Sequence, residues 1–364
     1  MSFRRALIAV ASLLAFLPFT SLLSGCGSSQ SESPTTPADV YVAGGSADTV
    51  GYWKNGTYVR LSTEAGEAYG IAIANGHVYV AGQLGTQAAL WVDGQLTVLP
   101  GAAFENSANA VAVSGADVYV GGFTQNNGNG SVPVIWKNGV ASVLTEGITG
   151  APANETVQAG GVGQIIVAAG NVYASGTQEI YDLTAPNTYT VLQTATLWTN
   201  GTPATLTNYP ASSEVFSLDI SGSSVYMGGF ILPQQALGTE YIPTIWNNGV
   251  VASPALGDGG IVISLAVNGS NVYAEGYLNN IFTVWNNSQV QFATNNMTTA
   301  GGMALYGSDV YAGAVIAGSD SQGDNIYAPG YYLNGTWTAL PDSDPLQGAA
   351  VNAIVAVPQG SAAD

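Results

Sequence analysis

The sequence predicts an all-β protein, a seven-bladed β-propeller of four-stranded antiparallel blades whose ring is closed by the C-terminal strand pairing in the first blade. Three observations carry that expectation. A Val-Tyr strand, usually running into Ala-Gly or Gly-Gly, recurs seven times, with its tyrosine at Tyr41, Tyr79, Tyr119, Tyr173, Tyr226, Tyr273 and Tyr311. Each copy is followed by an aromatic residue just ahead of a turn: Trp53-Lys-Asn-Gly, Trp91-Val-Asp-Gly, Trp136-Lys-Asn-Gly, Trp198-Thr-Asn-Gly, Trp246-Asn-Asn-Gly, Trp285-Asn-Asn-Ser and Tyr332-Leu-Asn-Gly. A repeat of about 40 to 50 residues built from short strands is the spacing of propeller blades. Finally, the first copy lacks a leading strand, while the last is followed by an unclaimed one, Asn352-Ala-Ile-Val-Ala-Val357, which matches Asn109-Ala-Val-Ala-Val113.

Each repeat divides into four strands. Strand A is small and apolar, as in Ala110-Val-Ala-Val113, and ends in a glycine turn such as Asn75-Gly76 or Ser221-Gly222. Strand B holds the Val-Tyr pair, and strand C ends at the tryptophan. Asn-Gly or Asp-Gly then turns the chain into strand D, because these residues tolerate the positive φ of a two-residue hairpin. Since the first copy has only B, C and D, from Tyr41 to about Leu61, the strand at 352–357 is expected to supply its A and remove an open sheet edge. Repetition at one blade position also assigns the tryptophan and tyrosine series to packing between neighbouring sheets, where large rings bury the most surface. Trp337, outside the series, is assigned to the core as well.

Ahead of the repeats, Arg4 and Arg5 precede an apolar run to about Leu23, the layout of a secretory signal rather than of a membrane span. The Leu23-Ser24-Gly25-Cys26 end resembles the lipobox of bacterial lipoproteins, which implies cleavage before Cys26 and lipidation of its thiol. In such proteins Gly27, in place of an aspartate, implies transport to the outer membrane. Expected segments are a signal peptide over 1–25, a lipidated Cys26 and flexible tether over 26–38, the propeller over 39–358, and a tail over 359–364. Cys26 is the only cysteine, so no intrachain disulfide is possible.

Three basic residues, Lys54, Arg60 and Lys137, then face 23 acidic ones, a formal net charge of −20. Such a surface repels phosphate backbones and anionic headgroups. The expectation is a monomer that contacts a membrane only through its lipid and takes an envelope protein or glycan, not nucleic acid, as partner.

An apolar strand, a glycine turn, an aromatic strand ending in Gly-Gly and a later tryptophan together resemble kelch-type propellers. Val118-Tyr-Val-Gly-Gly122 and Val225-Tyr-Met-Gly-Gly229 match that pattern best, and the likeness covers most of residues 39–358. The resemblance implies a fold that hosts binding modules and a few oxidases. The oxidases are a poor match, since no cysteine lies inside the repeats to form a thioether-linked tyrosine.

No catalytic motif is present. His77 is the single histidine, so neither a zinc site nor a serine triad is supported; it reads as a solvated turn residue. The Gly160-Gly-Val-Gly163 cluster lacks the spacing of a phosphate loop and reads as easing the chain into strand A. The acids are more informative. In a propeller the A–B and C–D turns share one face and the B–C and D–A loops the other, and here the second set is long and variable: 123–132, 176–193, 230–241, 315–328 and 145–161. Long loops on a rigid scaffold are where function concentrates. The candidate ligand-binding residues on them are Glu146, Glu155, Glu179, Asp182, Glu240, Asp258, Asp320 and Asp324. No cofactor is expected; calcium, which takes oxygen ligands, is considered only at Asp320, Asp324, Asp342 and Asp344. The favoured activity is non-enzymatic binding or scaffolding at the cell envelope. The alternative is a carboxylate-dependent hydrolase or lyase acting on an extracellular polysaccharide, which needs two converging carboxylates about 5 to 10 Å apart.

Overall fold

The outer hairpin of every blade turns on a residue with left-handed backbone. Asn55, Asp93, Asn138, Asn200, Asn248, Asn287 and Asn334 have φ between 46° and 51°, and each is followed by a glycine or, once, by Ser288 at 69°. Two successive positive φ values give the turn whose twist suits paired strands. The turn residue also clamps strand B. In blade 3 the Asn138 N–H donates to the Val118 carbonyl, and Asn138 Oδ1 accepts the Val118 N–H, both at 2.8 Å. The same two bonds are made to the valine of every Val-Tyr pair. A turn residue and a strand start are therefore one unit, repeated once per blade.

The computed structural model describes residues 37–46, 49–125, 130–144, 155–182, 191–207, 211–233, 240–253, 256–295, 297–319, 322–341 and 348–362. These form seven four-stranded sheets. The inner strands A are Ala349–Pro358 in blade 1, then Gly66–Ala74, Glu105–Ser114, Glu155–Ala168, Ser212–Ser221, Gly260–Asn268 and Met297–Tyr306 in blades 2 to 7. Blade 1 is completed as expected: Ala349–Pro358 pairs antiparallel with Ala38–Ser46, Tyr41 lying opposite Val355. Residues beyond that strand fold back over the joint. The Gln359 N–H donates to the Pro37 carbonyl, the Gly360 N–H reaches Asp39 Oδ2 at 2.8 Å, and Ala362 bridges Gly76 of blade 2.

There is no single central core. Seven hydrophobic clusters each straddle one pair of neighbouring blades, including the pair formed by blades 7 and 1. Trp53, Trp91, Trp136, Trp198, Trp246 and Trp285 are at most 1% exposed and anchor six of them, and Tyr332 takes the same place in blade 7. Trp53 and Trp136 also cross the seam with their ring N–H groups, donating to the Pro341 and Pro100 carbonyls of the preceding blade. An indole ring buries about 200 Å². That corresponds to about 5 kcal/mol of transfer free energy before entropy is counted, which explains why this position holds a large aromatic ring in every blade.

The glycines after Val-Tyr answer to an irregularity in strand A. Every inner strand slips register, once in blades 1, 2, 3, 5 and 6 and twice in blades 4 and 7, and each single slip leaves one extra residue unpaired, for example Tyr69, Asn109, Phe216 or Asn352. The slip pushes the preceding carbonyls toward strand B. A Cβ at Gly122 or Gly229 would lie 1.9 Å from the Ser107 or Glu214 carbonyl oxygen, so only glycine fits. Bulged asparagines turn the slip into a link between blades: Asn109 Nδ2 donates to the Val162 carbonyl, and Asn352 Nδ2 to the Ala68 carbonyl and Glu67 Oε1.

Two expectations need revision. Strands A and B of blade 4 run over Glu155–Ala168 and Asn171–Asp182, so much of 155–161 and 176–182 is hairpin ladder rather than loop. Gly160-Gly-Val-Gly163 accordingly lies inside the inner strand, with Gly163 in its second slip, and not at the start of it.

Candidate functional site

Strand direction sets which residues reach the loop face. Strands A and C begin there, and strands B and D end there. Backbone pairing places Glu155 directly opposite Asp182 at the open end of the blade 4 A–B hairpin, on the loop face. Glu179 lies on the same strand B, and Glu240 and Asp258 lie in the loops flanking the outer strands of blade 5. Asp324 is exposed just before strand C of blade 7. Glu146, Asp320, Asp342 and Asp344 lie outside the described residues, as does Cys26. Among the described residues no group of three or more His, Cys, Asp or Glu side chains could hold a metal ion. Lys54 and Lys137 end their strands C on the opposite face, where Lys137 pairs with Asp117 at 2.8 Å.

Blade 5 gathers the richest chemistry on the loop face. Its bulged residue, Phe216, stands 6.0 Å from the Phe230 ring, and Phe230 meets Tyr241 edge-on at 4.7 Å and 76°. Phe230 is buried, whereas Tyr241 is 48% exposed. Tyr241 is nevertheless fixed, because its carbonyl accepts the N–H groups of both Gly259 and Gly260 at 2.9 Å. Glu240 is its sequence neighbour, and a Cβ on Gly259 would come 3.3 Å from Glu240 Oε2.

Glu214 sits opposite Phe230 in the ladder. Burial, reinforced by the charge of Glu179 on blade 4, pushes its carboxyl up to about 7, against a hydrogen bond from Gln193. Serines beside it sew the two blades together: Ser212 Oγ accepts the Gln193 N–H at 3.1 Å and Ser213 Oγ the Ala195 N–H at 3.0 Å. A carboxyl that titrates near neutrality beside a second carboxylate can hold or release a proton under physiological conditions.

Two other carboxyls are raised for structural reasons. Glu275 occupies the strand B position that is Ala43, Ala81, Gly121, Ser175, Gly228 or Gly313 in the other blades. It is fully buried, accepts the Gly302 N–H at 2.7 Å through Oε1, and has no partner on Oε2 among the described residues. The inner strand of blade 7 slips across Gly301 and Gly302 at this seam, and the slip contains the Gly302 N–H that Glu275 accepts. Burial holds its carboxyl well above the usual range, with the Gly302 bond pulling the other way. Asp219 is raised by burial too, against the Val267 and Ile220 N–H groups that it accepts.

His77 is more than a solvated turn residue. In five blades an Asp or Asn two residues before the tyrosine accepts a bond from the turn asparagine, as Asp117 does from Asn138. In blade 2 the turn residue is Asp93, whose side chain has no N–H to give, and His77 Nδ1 meets its Oδ2 at 2.6 Å instead. Donor and acceptor have exchanged places, and the clamp is kept. Asp93 is held below its ordinary value by the Val78 N–H and by His77, although burial opposes this.

Sequence reasoning missed Glu214, because it lies in a strand and only loops were searched. A signal was present. Glu67-Ala-Tyr69 and Glu214-Val-Phe216 place a glutamate two residues before an aromatic bulge in blades 2 and 5.

No family model matches this chain, and no curated protein matches it. Similar solved structures include a subtype N11 neuraminidase-like protein of a flat-faced bat isolate from Peru, at 14% identity and a TM-score of 0.41, over 77% of this chain and 89% of that one. The polysaccharide lyase Uly1 is 9% identical with a TM-score of 0.39, over 82% and 99% of the two chains. An exo-1,5-alpha-L-arabinanase from a bovine ruminal metagenomic library is 11% identical with a TM-score of 0.33, over 72% and 97%. Such values transfer no activity to this chain.

Proposed function

We propose that this chain is a non-enzymatic binding or scaffolding lipoprotein of the cell envelope, kelch-like in its repeats, which engages a protein or glycan through its acidic loop face. The observation that carries this reading is Tyr241: a half-exposed ring packed edge-on against the buried Phe230, on a main chain whose carbonyl accepts two backbone N–H groups, with Glu240 beside it in sequence and Glu214 opposite Phe230 in the ladder. An aromatic side chain fixed in water has little to contribute to folding and much to contribute to recognition. The lipidated Cys26 and the tether after it would hold that face at an envelope surface, the outer membrane on the strength of Gly27. Intact-mass analysis of the native protein tests the anchor; an unmodified Cys26 rules it out. Pull-down from native envelope with the mature chain tests the binding. Tyr241→Ala should lose the captured partner, and unchanged capture would remove the loop face of blade 5 from the reading.

The alternative, a carboxylate-dependent hydrolase or lyase acting on an extracellular polysaccharide, is favoured by one feature, the Glu214–Glu179 pair. A carboxyl raised toward neutrality beside a second carboxylate is an arrangement such chemistry can use. A polysaccharide turnover screen decides. Turnover abolished by Glu214→Gln, with the fold intact, would replace the binding reading.

A further inference from the structure

Among the described residues, the exposed large hydrophobic side chains are mostly Val and Leu on outer strands; the two aromatic ones are Phe104, 57% exposed, and Tyr241, 48% exposed. Both stand on the loop face. Phe104 belongs to the connection from strand D of blade 2 to strand A of blade 3, and Tyr241 to the B–C connection of blade 5. Both are preorganised. The buried Asn106 closes the Phe104 loop, its Oδ1 accepting the Ala102 N–H at 2.8 Å and its Nδ2 donating to the Ala102 carbonyl at 2.9 Å. Trp136 ties down the start of the same loop through the Pro100 carbonyl. Tyr241 is held by Gly259 and Gly260.

Each aromatic residue also has a glutamate as its neighbour in sequence, Glu105 or Glu240, and Gln83 orients Glu105 at 3.3 Å. The three basic residues beyond the signal region lie elsewhere, Lys54 and Lys137 by the C–D turns and Arg60 on an outer strand. The loop face thus offers aromatic faces and carboxylates, and a complementary ligand has to bring the positive charge itself. An ammonium group over an aromatic ring gains cation–π attraction, and beside a carboxylate it makes a charge-assisted hydrogen bond. The flat C–H face of a pyranose covers such a ring, while its hydroxyls reach carboxylate oxygens. Two such positions on separate blades suit a ligand with repeating units, because the second contact is made at high effective concentration.

We propose that Phe104 and Tyr241 form two contact points for a linear, amine-bearing saccharide. This rests on the binding reading above and names its ligand class. The test is calorimetric titration of the mature chain with fully deacetylated glucosamine oligomers of increasing length, beside N-acetylated oligomers, uronate oligomers and oligolysine. Long deacetylated oligomers should bind about a hundredfold more tightly than the monosaccharide. Phe104→Ala and Tyr241→Ala should each weaken the long oligomer about tenfold and should scarcely shift the melting temperature, since both rings are exposed. Added salt should weaken binding. Equal affinity for acetylated or uronate oligomers would overturn the charge requirement, and preference for oligolysine would overturn the saccharide; in both cases the loop-face binding reading survives. Retention of affinity in the Phe104→Ala, Tyr241→Ala double variant would remove the two rings from the site. Failure of every probe overturns this inference, and only a native-envelope pull-down that is also empty would bring down the binding reading.

Discussion

The two faces of the ring are built from the same strands under different rules. On the turn face the clamp between the turn residue and the strand B valine is repeated in all seven blades, and the side-chain contact beside it is kept in blade 2 by the odd pair, His77 and Asp93, with donor and acceptor exchanged. On the loop face, among the described residues, the blades differ. Blade 4 extends a hairpin, blade 5 stacks three rings, and blade 7 slips its inner strand across two glycines. The turn face therefore holds the blades in one geometry, and that constancy frees the other face to vary.

The comparison can be broken or sharpened in order of expected effect. Deleting residues 351–364 removes the inner strand of blade 1 together with Val351, Ile354 and Ala362 from two of the clusters between blades. Both faces lose their frame, and cooperative thermal unfolding by near-UV circular dichroism should disappear. A truncated chain that melts with the full-length protein would mean that closure is dispensable. Next, Gly229→Ala puts a methyl group 1.9 Å from the Glu214 carbonyl oxygen, whereas Gly94→Ala on the turn face meets no atom within 4 Å and strains only a φ of +78°. Denaturant titration should show a loss above about 3 kcal/mol for the first and about 1 kcal/mol for the second; comparable losses would refute the bulge-and-glycine account.

Glu275 adds a pH dependence. Its folded carboxyl is raised, so above the ordinary unfolded value of about 4.3 the native state holds a proton that the unfolded chain has released. Stability should then fall with rising pH, by at most about 1.4 kcal/mol per pH unit from this group, until the folded carboxyl ionises. Glu275→Gln should flatten that decline and leave acid stability little changed; an unaltered slope would assign the decline to other groups. Smallest is the blade 2 exchange. His77→Asp sets two carboxylates together and should cost about 1 kcal/mol, and adding Asp93→Asn should restore most of it. A double variant no better than the single one would show that the clamp is not a matter of donor and acceptor.

What was legible in the sequence follows from what repetition can encode. Seven tryptophan-class landmarks and an orphan strand determine blade number and closure, because a core that lies between identical units demands the same ring at the same position in each. The clamp was half legible: Asn-Gly announced the turn, but its hold on the valine depends on a side chain reaching across a strand. The irregular features escaped. Glu275 is a single departure from the repeat and Glu214 is shared only with Glu67 of blade 2, and what each does depends on the neighbouring blade, on Glu179 in one seam and on Gly301-Gly302 in the other. A pattern read within one blade cannot report contacts between two. Nor did the loop lengths disclose that residues 155–161 continue as strand, since pairing there is set by the opposite strand and not by local composition.

The joint in blade 1 has a kinetic meaning. The Gly360 N–H and Asp39 that meet there are separated by 321 residues. Blades 2 to 7 each pair neighbours in sequence and can form locally as the chain lengthens. Blade 1 must wait with its inner edge open until nearly the whole polypeptide exists, and contacts of such long range are slow to form. Bringing the ends together is made cheaper by the blades already in place, which shorten the effective loop. The slow step in folding should therefore be the docking of one ten-residue strand, Ala349–Pro358. Until it occurs, the unpaired edge of Ala38–Ser46 is the place where one chain can capture the strand of another.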